Sequence, residues 1–466
     1  MDATTLRLVD FALEAEFSAI PPAAVDQCKR RLIDGFACAV AAFDAPLSVM
    51  ARAVGARHPA GPGLPAARIW GTNDRVAPEA AAFANGVMLR LLDLSDMYGA
   101  KAAGHPSDVI PGIIAVGEAL HADGRSVINA VTLAYDLYCS FCEAIDFSAK
   151  GWDQPVFVGM ACALAVGRLL GLSRTQMGNA LALALAPNMA LYQTRRGEVS
   201  GWKGCAAANA SRNAVFAAYL ARDGFTGPTA VFEGESGLWD IVGRFDWQVS
   251  RGWITRTHMK CFPLCYHGQS AVWAAFDVRQ RLRVEDIRDI QVETYPAAIR
   301  LMANDPTRWA PRTHETADHS LPYVVAVALL DGEITSRSFS SARLSDPAVA
   351  TLMRMVKVDA SPEISAQYPE AAPCRLRITT RAGDVVVAEC RYPKGHARDP
   401  MSDAQLEAKF VDLFGSFGNR TQCRTALEML RHLDQVTDIG EATGVFLKNW
   451  QEEPAAPLGH SSAAAA

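Results

Sequence analysis

Apolar residues recur at helical spacing over most of the first 270 positions. Val25, Cys28, Leu32, Ile33, Phe36 and Val40 share one face between 24 and 43, three or four residues apart as one side of a helix requires. The stretches 126–145 and 156–170 repeat the pattern. The second stops at Gly171, Ser173 opens a further helix over 176–185, and the helix over 206–222 runs into Asp223-Gly224, glycine being a common helix stop. Ala161, Ala163, Ala165, Ala206, Ala207 and Ala208 give these helices small faces, which allow close approach in a multi-helix domain. After about residue 280 the period changes to two. Ile287 to Tyr295 alternates apolar and polar positions, and the stretches 374–380 and 384–392 flank the turn Arg381-Ala382-Gly383-Asp384, the pattern of strands and a hairpin. Helices are expected over 319–330 and 347–356, and again from 402 to 449. The chain therefore reads as mainly α, with an α+β segment inserted into a helical protein.

Composition narrows the picture. With 466 residues, half of them hydrophobic and a fifth charged, the chain reads as globular with two or three domains. A net charge of −5 without Lys/Arg runs gives no footing for nucleic acid. The stretch Met1-Asp2-Ala3-Thr4-Thr5-Leu6 lacks the features of a signal peptide, and Pro, Gly or charge interrupts every long apolar run, so no membrane span is expected. Eleven cysteines at irregular spacings fit reduced cytoplasmic thiols rather than a disulfide framework. The close pairs Cys139/Cys142 and Cys261/Cys265 lack the second pair that a zinc site needs.

Polar islands between apolar segments carry the candidate chemistry. Asp93, Asp96, Lys101, His105, Ser107 and Asp108 lie between the helical stretches 80–92 and 109–120. Buried charges must be paired or bind something, and His105-Pro106-Ser107-Asp108 reads as a helix start capped by Ser107 or Asp108. A helix start attracts anions, which points to a pocket for a carboxylate; a capped helix with a core histidine accounts for the same residues. Three further islands follow. Thr194 to Gly204 offers Arg195, Arg196 and Lys203 as carboxylate partners, or a solvated basic loop. Met259 to Ala271 offers Lys260, Tyr266 and His267 as proton carriers, or hinge packing. Glu315 to Tyr323 offers His319, Ser320 and Tyr323, or capping by Asp318 or Ser320. Taken together they suggest a site that binds a polycarboxylate and moves protons.

Leu92-Asp93-Leu94-Ser95-Asp96 with His105-Pro106-Ser107-Asp108, Gly201-Trp202-Lys203, Lys260 to Pro263 with Tyr266 to Val272, Glu315 to Tyr323, and Asp399 to Asp403 with Lys409-Phe410 together resemble the MmgE/PrpD family over nearly the whole chain, with 2-methylcitrate dehydratase-like members most similar. The resemblance implies a large all-helical domain from 1–270 and 399–452, a smaller α+β lid domain over 271–398 and a homodimer; 453–466 reads as a disordered tail. It implies a site without metal or organic cofactor, acting on a small di- or tricarboxylate. Asp93, His105, Lys203, Lys260, His267 and Tyr323 are the implied catalytic positions. Ser107, Arg195, Arg196, Gln154, His319 and Met97 are the expected substrate-binding positions. The expected reaction is elimination of water, with isomerisation, epimerisation or decarboxylation of a related acid, or carboxylate binding without catalysis, as the alternatives. Met97 stands where the family usually has Thr, and Gln154 where dehydratase-like members tend to have His, which favours a smaller or more apolar substrate.

Overall fold

Local signals start and stop the helices largely where the pattern places them. Ser173 opens Arg174–Leu185 with a reciprocal capping box to Gln176, and Ser402 opens Asp403–Phe414 in the same way, satisfying backbone donors that a helix start leaves free. The computed structural model describes residues 1–451 apart from Asp246, so the expected tail over 453–466 lies outside the described residues. The fold is mainly α. Pro22–Ala41, Pro78–Arg90, Gly124–Ala144, Pro155–Leu169 and Ala206–Arg222 pack into one apolar core, and Ala208 sits so close to Gly86 that a Cβ on the glycine would meet it at 2.8 Å. Residues 401–446 return to this same core, where Asp403–Phe414 packs on Pro22–Ala41. No single helix among the described residues is long and apolar enough to cross a membrane.

A second apolar core gathers residues 262–388. Its four-stranded sheet runs in the order Val356–Ala360, Ile287–Thr294, Cys374–Thr380, Val385–Cys390; the first pair is parallel and the others antiparallel. The expected hairpin forms, with Gly383 at φ +98°. The strand Val356–Ala360 is a departure from the sequence reading, which ran a helix to 356. The helix stops at Met353, and Val356 and Val358 pair beside Ile290 and Val292, so the sheet takes residues that periodicity leaves ambiguous. Helices Gln269–Arg279 and Leu321–Asp331 pack into this second core.

Three contacts order the edge of the first core where the second meets it, and one of them, the Met97 cluster, crosses. Met97 and His258 exchange backbone hydrogen bonds of 2.8 and 2.7 Å. Met97 also joins a small apolar cluster with Tyr266, Tyr295 and Ala298. Lys409, from the returning helix, donates to Asp34 Oδ1 at 2.5 Å, to the Lys260 carbonyl at 2.7 Å and to the Leu94 carbonyl at 3.2 Å.

Candidate active site

Asp93 follows the helix Pro78–Arg90 with φ +49°, a left-handed conformation that Asp tolerates better than most residues and that clusters at functional sites. It is buried, and three cations converge on its carboxylate. Arg90 Nη1 donates to Oδ1 at 2.7 Å, Lys260 Nζ to Oδ1 at 2.6 Å and to the Asp93 carbonyl at 2.8 Å, and Lys203 Nζ to Oδ2 at 3.0 Å. Burial alone would raise the Asp93 pKa, but Arg90, Lys203 and Lys260 hold it well below the usual carboxylate range. Lys203 also donates to Asp318 Oδ2 at 3.1 Å. Because Lys409 ties the carbonyls of Leu94 and Lys260, the returning helix holds Asp93 and Lys260 in register.

His105 stands beside this cluster with a defined ring orientation. Its Nδ1 lies 2.7 Å from the Asp96 carbonyl, an acceptor only, so Nδ1 carries the proton and Nε2 keeps a free lone pair. Nε2 lies on the Asp93 side, 3.9 Å from Oδ1. Burial first, then Arg90 and Lys260, push the imidazole well below its ordinary pKa, leaving a neutral ring with an available base. Asp96 fixes the turn: its Oδ1 accepts from the Ser107 N–H at 3.0 Å, and its Oδ2 from the Tyr135 hydroxyl at 2.7 Å. Behind His105, Tyr138 donates to Gln154 Oε1, and Gln154 Nε2 reaches Asp108 Oδ2 at 3.4 Å. Gly104 makes room for this pair, since a Cβ there would fall 1.9 Å from the Tyr138 hydroxyl. Asp108 is raised to about 7, chiefly by burial.

The second core supplies the facing wall. Asp318 Oδ1 accepts from His319 Nδ1 at 2.5 Å, and His319 Nε2 lies 3.7 Å from Asp93 Oδ2. Burial and Lys203 oppose protonation of His319, but Asp318 and Cys265 together outweigh them and its pKa is raised. His267 Nδ1 meets the Tyr295 hydroxyl at 2.7 Å, and burial lowers this ring to about 3. On the first-core side, Arg195 Nε is pinned to Asp153 Oδ1 at 2.7 Å. Between the walls lies a cavity of about 100 Å³ whose lining includes Asp93, His105, Lys203, Lys260, His267 and His319, a size for a small acid. A larger open groove among residues 407–441 contains none of these groups. Asp93, Asp318 and His319 bring donor atoms within 4.8 Å of one another, yet Lys203 already occupies the place between the two carboxylates that a metal cation would take.

Nine of the twelve residues singled out in the sequence thus line one cavity, Met97, Gln154 and Arg195 among them. Three do not. Tyr323 turns its hydroxyl into the second core, donating to the Ser338 carbonyl at 2.7 Å. Arg196 rests over the Tyr192 ring, 5.1 Å from its centroid. Ser107 is buried with its hydroxyl unpartnered, outside the cavity lining. Neither Ser107 nor Asp108 caps a helix: Pro106–Val109 forms a 3₁₀ turn that runs directly into Ile110–Ala119 without a side-chain cap, and Asp96 Oδ1 takes the Ser107 N–H in its first turn. At the later island Ser320 does cap Leu321–Asp331. Sequence reasoning missed Arg90 and Arg300 and gave Asp318 only a capping role. Arg90, three residues before Asp93 and one helical turn away, carried a signal; Arg300, far off in the inserted segment, carried none.

A family model described as the MmgE/PrpD N-terminal domain matches residues 6–249, and one described as the MmgE/PrpD C-terminal domain matches residues 262–435. The chain is similar to the 2-methylcitrate dehydratase of Escherichia coli K12, 28% identical over 91% of this chain and 92% of the relative. It is 27% identical to the 2-methylcitrate dehydratase of Cupriavidus necator over 85% of this chain and 86% of that one. A 2-methylcitrate dehydratase-like protein of Aspergillus oryzae is 29% identical over 84% and 85%.

Proposed function

The chain belongs to the MmgE/PrpD family, and on that premise we propose that it is a hydro-lyase eliminating water from a hydroxy di- or tricarboxylate such as 2-methylcitrate or citrate. The observation that carries this reading is the pairing of a neutral base with a cation cluster: His105 Nε2, unprotonated and facing the cavity, beside Lys203 and Lys260 around Asp93. The names of the relatives support the same class of reaction.

In this reading His105 Nε2 takes the proton α to a carboxylate. The electron pair moves onto that carboxylate as an aci form, whose charge Lys203 and Lys260 stabilise, and collapses to the alkene as the hydroxyl leaves with a proton. His319, with its raised pKa, is the acid placed to supply that proton, and His267 hydrogen-bonds the departing oxygen. Arg195, oriented by Asp153, takes a second carboxylate, with Arg300 opposite on the cavity rim. Asp93 sets the positions of the lysines. Residues 271–398 act as a lid inserted into the helical domain of 1–270 and 399–452, and the working unit is a homodimer. The eleven free thiols fit a reducing, cytoplasmic setting.

Proton NMR in D2O with 2-methylcitrate, citrate, cis-aconitate and a set of tartrate-like and amino diacids tests the proposal. An alkene signal with water loss supports it. Loss of carbon dioxide, deuterium exchange without change of mass, or tight binding without exchange would each replace dehydration with the matching alternative.

A further inference from the structure

Eleven cysteines are present, and Cys265 alone lines the cavity between the two cores. Its backbone N–H donates to the Asp318 carbonyl at 2.9 Å, and His319, the next residue after Asp318, lines the same cavity as the Cys265 side chain. His319 is in turn held by Asp318 at 2.5 Å. A thiol next to an imidazole that is oriented by a carboxylate has the makings of an activated nucleophile, and the proposed elimination assigns this thiol no role. We propose that Cys265 is a covalent-modification site for small electrophilic carboxylates, namely α-halo acids and α,β-unsaturated acids.

The surroundings argue for both halves of this assignment. Burial opposes ionisation of Cys265, but His319 outweighs it by charge and hydrogen bond, and the thiol pKa is lowered; Lys260 acts in the same direction and Asp93 against it. Each of the other ten cysteines is shifted the opposite way, with burial as the first cause. The cavity therefore presents the one thiol whose ionisation its surroundings favour, against a background of thiols whose ionisation burial opposes. Five Lys and Arg side chains and three Asp face the same space, so an anionic reagent is drawn in where a neutral one is not. This selectivity rests on the carboxylate-binding reading of the site.

The chemistry balances with what is present. As the sulfur attacks, His319 takes the Cys265 proton. With an α-halo acid the thiolate sulfur forms a bond to the α-carbon as the carbon–halogen bond breaks and halide leaves. With an α,β-unsaturated acid the sulfur bonds the β-carbon, the π pair moves to the α-carbon, and His319 returns the proton there. An elimination that yields an α,β-unsaturated acid would generate this second kind of electrophile beside the thiol, making the site liable to modification by its own product.

The test is alkylation of the folded, full-length chain by iodoacetate and, separately, by iodoacetamide, with peptide mapping of all eleven cysteines over time. Free thiols react faster with the neutral reagent. Here Cys265 should be labelled first, with iodoacetate faster than iodoacetamide by roughly 10-fold or more, the scale of enrichment that a cleft of opposite charge produces. Citrate should slow the labelling, and Cys265→Ser should abolish it at that peptide. Fumarate should add its own mass at the same residue. Faster labelling of Cys265 by iodoacetamide, prior labelling of another cysteine, or no labelling short of unfolding would overturn the proposal. Turnover assays on unlabelled enzyme keep the two readings apart: iodoacetate-selective labelling without water loss from any acid sinks dehydration alone, and water loss without selective labelling sinks the Cys265 site alone.

Discussion

Lys203→Met separates chemistry from stability. The substitution keeps the aliphatic stem and removes the ammonium that bridges Asp93 and Asp318 at 3.0 and 3.1 Å. Neither carboxylate is orphaned. Asp93 keeps Arg90 at 2.7 Å and Lys260 at 2.6 Å, and Asp318 keeps His319 at 2.5 Å. Two charge-assisted hydrogen bonds are lost and the burial of one ammonium is relieved, so the expected net loss of stability is about 1–2 kcal/mol. Turnover depends on the ammonium more strongly. Losing one preorganised donor aimed at developing negative charge lowers the rate by about 10²–10³-fold, or about 3–4 kcal/mol. Asp93→Asn gives the contrast: it strips Arg90, Lys203 and Lys260 of their shared carboxylate, and uncompensated buried charge costs about 3–5 kcal/mol. Melting temperature and kcat/KM, read from the ultraviolet absorbance of the enoic product, are measured on both variants. Lys203→Met should melt well above Asp93→Asn while being nearly inactive. A Lys203→Met enzyme within tenfold of the parent kcat/KM, or one that melts as low as Asp93→Asn, would refute the reasoning.

Four further outcomes follow from the geometry. His105→Gln should lower kcat by about 10²–10⁴-fold and remove deuterium exchange at the α-carbon, while substrate still protects the enzyme against thermal unfolding; retained exchange would move the base elsewhere. Gly104→Ala drives a Cβ into the Tyr138 hydroxyl and should cost about 1–3 kcal/mol of stability; the double variant Gly104→Ala/Tyr138→Phe should recover part of it, a coupling that a thermodynamic cycle measures. Tyr323→Phe should keep turnover within a few fold and lose about 1 kcal/mol of stability, since its hydroxyl serves the Ser338 carbonyl; a large drop in kcat would return it to the site. His267 and His396 have pKa values lowered, chiefly by burial, from 6.5 to about 3 and about 4. The unfolded chain then binds protons that the folded chain does not, so their contribution is complete above pH 6.5 and falls away as the pH drops towards 4; the melting temperature should decline over that window, less steeply in His267→Gln.

Sequence by itself determined the helical framework, the change of period at the inserted segment, and the short islands where ionisable residues interrupt apolar runs. These are local properties: a helix face and a cap are written within a few neighbouring residues. Family motifs likewise named most of the groups that meet at the cavity, because Asp93, His105, Lys203, Lys260, His267 and His319 each sit in a compact, recognisable string. Tertiary structure alone decided what those groups do to one another. Lys203 lies 110 residues from Asp93 and Lys260 lies 167 from it, and no local pattern says that both ammonium groups close on one carboxylate. Asp96 reads as one more polar residue, yet its carbonyl selects the His105 tautomer and its carboxylate takes the Ser107 N–H. Lys409 binds the carbonyls beside Asp93 and within Lys260 from the far end of the chain. Tyr323 is a motif residue whose hydroxyl finds the Ser338 carbonyl instead of the cavity. Side-chain type is set by the sequence, but protonation state, tautomer and direction are set by burial and by neighbours brought from distant positions, and those exist only once the two cores have closed on each other.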